Sequence, residues 1–305
     1  QAVAATLELG TVPSRYPEPM LSGFHVLLTY RCTHQCDHCF VHIGPGAPGT
    51  FTLDQLRRTQ AEAARIGTVE RVFYEGGEPF VYYPLLLEGL RGAREMGFEV
   101  GVVTNAYWAE TEEDAEIWLR PLAEIGVADL SVSDDALHHG EVEDSPARRA
   151  HRAAERLGIP VGAICLPPPQ QGEGVRFRGR AADKLAQGFP RRSWREFDEC
   201  PDEDFADPGR VHVDAYGNVQ LCQGILMGNM WQTRLSEMVR SWNPAAREVA
   251  GPLQQGGPAA LAAEHGPPPE PDYVSACHLC YRMREHLLDR FPDELGPGQV
   301  YGRES

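Results

Sequence analysis

Three cysteines stand close together in the run Arg31-Cys32-Thr33-His34-Gln35-Cys36-Asp37-His38-Cys39, at a spacing of C-x3-C-x2-C. Three thiolates on one tight loop can hold three corners of a four-iron cubane. The fourth iron is then left without a protein ligand. A reactive centre needs such an opening, by the logic that separates catalytic from structural zinc sites. Zinc is the rival occupant, because His34, His38 and His42 lie close by. Zinc loops favour paired C-x2-C ligands, however, and this spacing is unusual for them.

A second set follows at Cys200, Cys222, Cys277 and Cys280, spaced C-x21-C-x54-C-x2-C. Four thiolates could ligate a second cluster completely, or one structural zinc. Cys165 is left over from the count of eight. A free cysteine is most often a small buried hydrophobe. Eight cysteines in 305 residues, with no signal-type start in Gln1–Gly10, favour metal or cluster ligation over a disulfide scaffold.

Other residues could contact a ligand. In Gly76-Gly77-Glu78-Pro79, two glycines let the backbone approach a ligand closely, and Glu78 can accept from an ammonium. Asp134, Asp135, His138 and His139 form a dense polar loop, from which a substrate clamp or general base could come. Capping of the next helix is the plainer role for such residues. Glu75 is a further candidate clamp. Arg176, Arg178 and Arg180 form a basic run that reads equally well as solvated surface charge.

These residues need a scaffold, and the first two-thirds of the chain alternates strand and helix patterns. Strands are expected over Phe24–Thr29, Val69–Tyr74, Phe98–Val103, Ala128–Ser133 and Pro160–Leu166, with a weak sixth at Val175–Phe177. Helices are expected over Leu53–Ile66 (capped by Thr52), Tyr83–Met96, Thr111 to about Ile125, and Pro146–Leu157 (capped by Ser145). Strand then helix, repeated with short loops, predicts an α/β fold with a parallel sheet, closed or partly closed by crossover helices. Ligands in such sheets sit at the carboxyl ends of the strands. The cysteine loop, Gly76–Pro79, Asn105, Asp134 and Cys165 all fall there. After Arg180 the alternation ends. Val211–Val213 and Val219–Leu221 read as a hairpin across Tyr216-Gly217-Asn218, and Gly251–Pro271 reads as a loop.

C-x3-C-x2-C after the first strand resembles the signature of radical S-adenosylmethionine (SAM) enzymes, and Gly76–Pro79 resembles the family's GGEP element. The resemblance implies a partial (β/α)6-type barrel. It implies that Cys32, Cys36 and Cys39 hold a [4Fe-4S] cluster with one open iron, and that Gly76, Gly77, Glu78 and Pro79 receive the amino group of SAM. Thr104 and Asn105 match the family's strand-three ending near SAM, and Ser133 a strand-four element near ribose or substrate. Arg178 matches a basic segment facing the SAM carboxylate. His38 stands where Tyr or Phe often packs on adenine. Gly217-Asn218-Val219, Cys222 and Gly228-Asn229 resemble the C-terminal SPASM extension; four cysteines fit its shorter twitch form, with one auxiliary [4Fe-4S] cluster. The resemblance covers roughly Leu21 to Leu287. The implied division is an extension at 1–20, a barrel at 21–180, an auxiliary-cluster domain at 181–290 and a tail at 291–305.

The implied reaction is reductive cleavage of SAM to a 5′-deoxyadenosyl radical that abstracts a hydrogen atom from substrate. Cys165, Asp134 and Glu75 are the catalytic candidates. Cys165 returning a hydrogen, as a cysteine does in radical SAM epimerases, gives epimerisation; a base taking a proton while the auxiliary cluster takes an electron gives dehydrogenation. Only about thirty residues precede the cysteine loop, short of the ~50 an independent leader-binding domain needs. A small polar substrate of sugar or aminocyclitol type is therefore expected, in a biosynthetic pathway. A peptide substrate is the second reading, and a zinc-stabilised binding protein without redox chemistry the third. An electron donor such as flavodoxin or ferredoxin is the expected protein partner. The formal charge of −16 argues against nucleic acid. No apolar run approaches the ~18 residues of a membrane span, so no membrane is expected and the expected location is cytoplasmic. Lys184 is the single lysine, which sets pyridoxal chemistry aside.

Overall fold

The computed structural model describes residues 21–165 and 174–303. Five strands alternate with helices: β1 (Gly23–Thr29), α1 (Leu53–Ile66), β2 (Arg71–Gly76), α2 (Tyr83–Glu95), β3 (Glu99–Thr104), α3 (Glu112–Ile125), β4 (Asp129–Ser133), α4 (Ala136–His139), α5 (Pro146–Arg156) and β5 (Val161–Ile164). Thr52, Thr111 and Ser145 each accept a backbone N–H at the start of α1, α3 and α5. Those side chains satisfy donors that the first helical turn leaves without a partner. Helix α5 buries Ala147, Ala150, Ala153 and Ala154. Its arginines point outward, and Arg152 and Arg156 pair with Glu112 of α3.

The chain then continues as α6 (Arg180–Lys184), β6 (Arg192–Ser193), β7 (Arg210–Asp214), β8 (Asn218–Cys222), β9 (Ile225–Asn229), α7 (Leu235–Arg240), α8 (Ala250–His265), β10 (Asp272–Tyr273) and α9 (Ala276–Leu287). The main sheet runs β5-β4-β3-β2-β1-β7-β8-β9. Strands β1 to β5 are parallel, and β7 joins β1 in parallel on its other side. The hairpin β7–β8 forms as expected. Asp214 accepts from the amides of Tyr216 and Asn218, closing the turn.

Three expectations are corrected. Val175–Phe177 is not a strand; the sixth parallel strand is β7, on the far edge of β1. The alternating sheet therefore extends into residues assigned by sequence to a separate unit, and one hydrophobic core runs from Leu21 to Tyr301. Gly251–Pro271 is a loop only over 266–271: residues 250–265 are helical, kinked at Gly256–Gly257. The kink lets Gly257 pack on the backbone of Asp198 and Glu199, where a Cβ would lie 2.4 Å from an amide nitrogen. Residues beyond 291 also pack inward, with Leu295, Val300 and Tyr301 buried and Leu226 N donating to Glu294 O.

Tyr74 points from β2 toward the helices, its hydroxyl donating to the Gly89 carbonyl of α2. Strand alternation places Phe73 and Glu75 on the opposite, inner face. His25 is in register with Phe73 on one side and His212 on the other, so these side chains share that face.

Candidate functional site

The cysteine loop is tied down from three directions at the carboxyl end of the sheet. Gly77 N donates to Thr29 O at 2.7 Å, and Glu78 N to Arg31 O at 2.9 Å. Asn105, just past β3, donates through Nδ2 to Thr33 Oγ1 at 3.2 Å and reaches Cys32 Sγ at 3.6 Å. Arg180 Nε donates to Cys36 O at 2.9 Å. The approach demands glycine. A Cβ on Gly77 would sit 2.1 Å from Arg31 O, and Gly76 combines a φ of +139° with a Cβ position 2.3 Å from Thr29 O.

Burial pushes the Cys32 thiol up to about 11 and the Cys36 thiol to about 12. Thiolates crowded in such a place require a cationic occupant. Zinc would hold its sulfurs about 3.8 Å apart, from a Zn–S length near 2.3 Å. Among the described residues, neither cysteine set brings three sulfurs within 4.8 Å of one another. A four-iron cubane spaces its sulfurs more widely, which suits the three cysteines, whereas the closer spacing of a single ion is met at this loop by Cys36, His38 and His138.

Several expected contacts are redirected. Glu78 is fully buried; its carboxylate accepts from Phe80 N, Thr104 Oγ1 and Asn105 N, at 3.1, 2.8 and 2.7 Å. Burial raises its carboxyl to about 7. Glu78 and Thr104 thus fasten the ends of β2 and β3 together. Pro79 is buried at the start of a short 3-10 turn. Among the described residues no hydrogen bond ends on the Gly77 carbonyl, which leaves a backbone acceptor suited to an ammonium. Asp134 is not a free base either: Ser145 Oγ and Arg148 Nε donate to its two oxygens at 2.7 and 3.1 Å.

The His38 ring packs edge-on against His138, with centroids 4.3 Å apart, and burial lowers its pKa to about 4. It is therefore neutral. Ser133, nearly buried at the end of β4, gives its carbonyl to His139 Nε2 at 2.9 Å. Cys165 is exposed at the end of edge strand β5, and its thiol donates to Asp134 O at 2.9 Å. The buried-hydrophobe reading of Cys165 does not hold.

Glu75 faces two imidazoles that the sequence reading missed. His212 Nδ1 lies 2.6 Å from Oε1 and His25 Nδ1 3.1 Å from Oε2. Burial pushes this carboxyl up, but the two imidazoles outweigh it and hold it below the usual carboxylate range. An ionised carboxylate accepts only, so both Nδ1 atoms carry hydrogen. Burial lowers the His212 pKa, which keeps that ring neutral with a lone pair on Nε2. Neither Nε2 has a hydrogen-bond partner among the described residues. Glu75 holds both rings by their Nδ1 atoms. It orients two rings, and the far nitrogen of His212 can take a hydrogen bond from a hydroxyl or ammonium group.

The second cysteine set converges although its members are far apart in sequence. Cys222 ends β8, and Cys277 and Cys280 share one face of α9 at a helical i, i+3 spacing. With Cys200 they line a small cavity. The expected SAM contact Arg178 is here instead, its Nη1 2.5 Å from Cys222 Sγ at the end of β8. Arg284, on α9, also faces this cavity. Only the tertiary structure brings it there. Burial raises the Cys200 thiol to about 11 and moves Cys277 and Cys280 upward too.

Residues 26–173 match the family model described as the Radical SAM superfamily. Among curated proteins, the Bacillus subtilis (strain 168) protein YydG, named for peptide biosynthesis, is 24% identical over 118 residues, 39% of this chain and 37% of YydG. A Pyrococcus furiosus tungsten-containing aldehyde ferredoxin oxidoreductase cofactor-modifying protein is 28% identical over 111 residues, 36% of this chain and 30% of that protein. The chain thus spans about a third of the length of either relative. The structure of BtrN in complex with AdoMet and 2-DOIA aligns over 72% of this chain and 82% of that one, with a TM-score of 0.52 and 16% identity. That likeness is one of fold. No described helix is long and apolar enough to cross a membrane.

Proposed function

This chain carries a radical SAM domain, and from that premise we propose a biosynthetic enzyme that abstracts a hydrogen atom from a small polar substrate of sugar or aminocyclitol type. When bound, the cluster and SAM supply a 5′-deoxyadenosyl radical. Cys32, Cys36 and Cys39 hold the cluster, Asn105 and the Gly76–Gly77 backbone fix the loop that carries them, and the Gly77 carbonyl receives the SAM ammonium. Cys200, Cys222, Cys277 and Cys280 hold one auxiliary [4Fe-4S] cluster. A flavodoxin or ferredoxin supplies electrons.

The observation that carries the substrate class is the Glu75 pair. The far nitrogen of His212, a lone-pair acceptor beside the His25 ring on the inner sheet face, suits a molecule rich in hydroxyl or ammonium groups. That nitrogen would hold it and could take the proton released in a two-electron oxidation. The BtrN fold, solved with AdoMet and 2-DOIA, accommodates SAM and a second small ligand together. A peptide substrate is the second reading. It is favoured by the likeness to YydG and by a cleft of about 610 Å³ lined by Leu226–Asn229 of edge strand β9.

The test is anaerobic reconstitution with iron and sulfide, then incubation with SAM, reductant and candidate substrates. 5′-Deoxyadenosine, carrying deuterium when the substrate is deuterated, is the expected product by mass spectrometry. A colourless protein that retains only zinc, or deoxyadenosine no greater than in a Cys32→Ala variant, would overturn the proposal.

A further inference from the structure

We infer that Arg178, with Arg284 behind it, makes the second cysteine site easier to reduce and links it to the first cysteine loop. The inference rests on the reading of that site as an iron–sulfur cluster. Both arginines are almost wholly buried, at 2% and 1% exposure. Among the described residues neither has a carboxylate partner. Arg178 gives Nη1 to Cys222 Sγ, while its Nε and Nη2 are buried with no hydrogen-bond acceptor among the described residues. Arg284 donates to the carbonyls of Cys280 and Gln223 and to Tyr301 Oη, so it sits against the backbone of one ligand and the neighbour of another.

Two buried cations with no carboxylate in hydrogen-bond contact are costly unless an anion completes the site, since Asp202 and Glu203 act on Arg178 only from a distance. Four thiolates around a four-iron core carry two net negative charges when oxidised and three when reduced by one electron. Cations held close in a low-dielectric interior favour the more negative state. The acidic residues nearby are already paired: Asp202 with Arg176 at 3.3 Å, and Glu203 with Arg210 at 3.0 Å. Asp202 also lies 3.2 Å from Cys277 Sγ, so it is the carboxylate that opposes the effect.

The same short segment touches the first loop. The Arg178 guanidinium lies over the ring of Phe40, 5.2 Å from its centroid, and Phe40 follows Cys39 directly. Gly179, at φ +58°, packs so closely that a Cβ would lie 2.4 Å from the Phe40 carbonyl carbon. Arg180 then reaches Cys36 O. Residues 178–180 therefore contact both cysteine sets, and Arg178 touches a ligand of one and the neighbour of a ligand of the other.

The test uses the full chain with Cys32, Cys36 and Cys39 replaced by Ala, so that only the second site can assemble. Iron, zinc and sulfide are counted after anaerobic reconstitution, and the reduced-cluster EPR signal is followed against potential. In this background, Arg178→Lys should titrate near the parent. Arg178→Met should keep its iron but shift to a more negative potential, lowering the reduced-to-oxidised ratio at a fixed potential about tenfold or more. Arg178→Met with full iron and an unchanged potential would overturn the inference and leave the cluster reading intact. A parent that holds zinc without sulfide would overturn the cluster reading, and the inference with it. If Arg178→Met loses iron and Arg178→Lys retains it, Arg178→Gln is titrated in place of Arg178→Met, and an unchanged potential there overturns the inference. Loss in both variants would show a packing role and overturn it.

Discussion

Replacing Gly77 by Ala adds one methyl group at the point where β2 meets the cysteine loop. The added Cβ would lie 2.1 Å from Arg31 O and 2.9 Å from Cys32 N, against at least 3.4 Å for ordinary contact. The neighbour is backbone, so it cannot swing away. The Arg31–Cys32 strand end must retreat by about 1.3 Å, stretching the hydrogen bonds from Gly77 N and Glu78 N that hold it. Overpacking of this kind costs about 1–3 kcal/mol, which a folded core of this size survives. A displacement near 1 Å at reacting groups costs on the order of 100-fold in rate. The expectation is a folded Gly77→Ala protein with reduced iron content and SAM cleavage slowed about 100-fold. Iron analysis, a thermal melt and deoxyadenosine formation measure the three quantities separately. Gly46→Ala is the control, since nothing lies within 4 Å of its added methyl. Gly77→Ala with wild-type iron and wild-type cleavage would refute the claim that this contact positions the loop.

Other expectations concern the carboxylates and the unpaired thiol. Glu78 has a folded pKa of about 7, above its ordinary 4.5, so the folded chain holds a proton there that the unfolded chain has released. Its stabilising contribution is full below pH 4.5 and declines toward pH 7, by on the order of 3 kcal/mol. The melting temperature of wild type relative to Glu78→Gln should therefore fall between pH 5 and 7; a constant gap argues against it. Glu75→Gln places an N–H against one imidazole and turns that ring's tautomer, so product formation should fall about 10-fold to 100-fold while both clusters assemble. Uncoupled deoxyadenosine should persist, and coupled turnover at the wild-type rate would show that the pair does not face substrate. Cys165→Ala should leave a dehydrogenation unchanged but divert an epimerisation to oxidised product. Chiral analysis of the product with deuterated solvent decides between them.

What depends on short separations is legible in the sequence. C-x3-C-x2-C lies within one loop, so three thiols must be near one another whatever the rest of the chain does. Capping residues such as Thr52 and Ser145 act on amides three positions away, and their helices start where they predict. Gly76 and Gly77 read as a close approach to a ligand, and the structure shows them also packed on the backbone of Thr29 and Arg31. Tertiary structure decided everything that depends on distant pairs. Helix α8 escaped detection because Gly and Pro weigh against helix locally, while packing of Gly257 on Asp198–Glu199 prevails in the fold. Glu75 meets His212 only because β7 crosses to the far edge of β1, a topology that hydrophobic alternation cannot specify. Arg178 was drawn from the SAM carboxylate to Cys222 for a related reason. A buried guanidinium goes where an anionic group can offset its desolvation, and four thiols gathered from β8, α9 and the loop at Cys200 form that place only after the chain has folded.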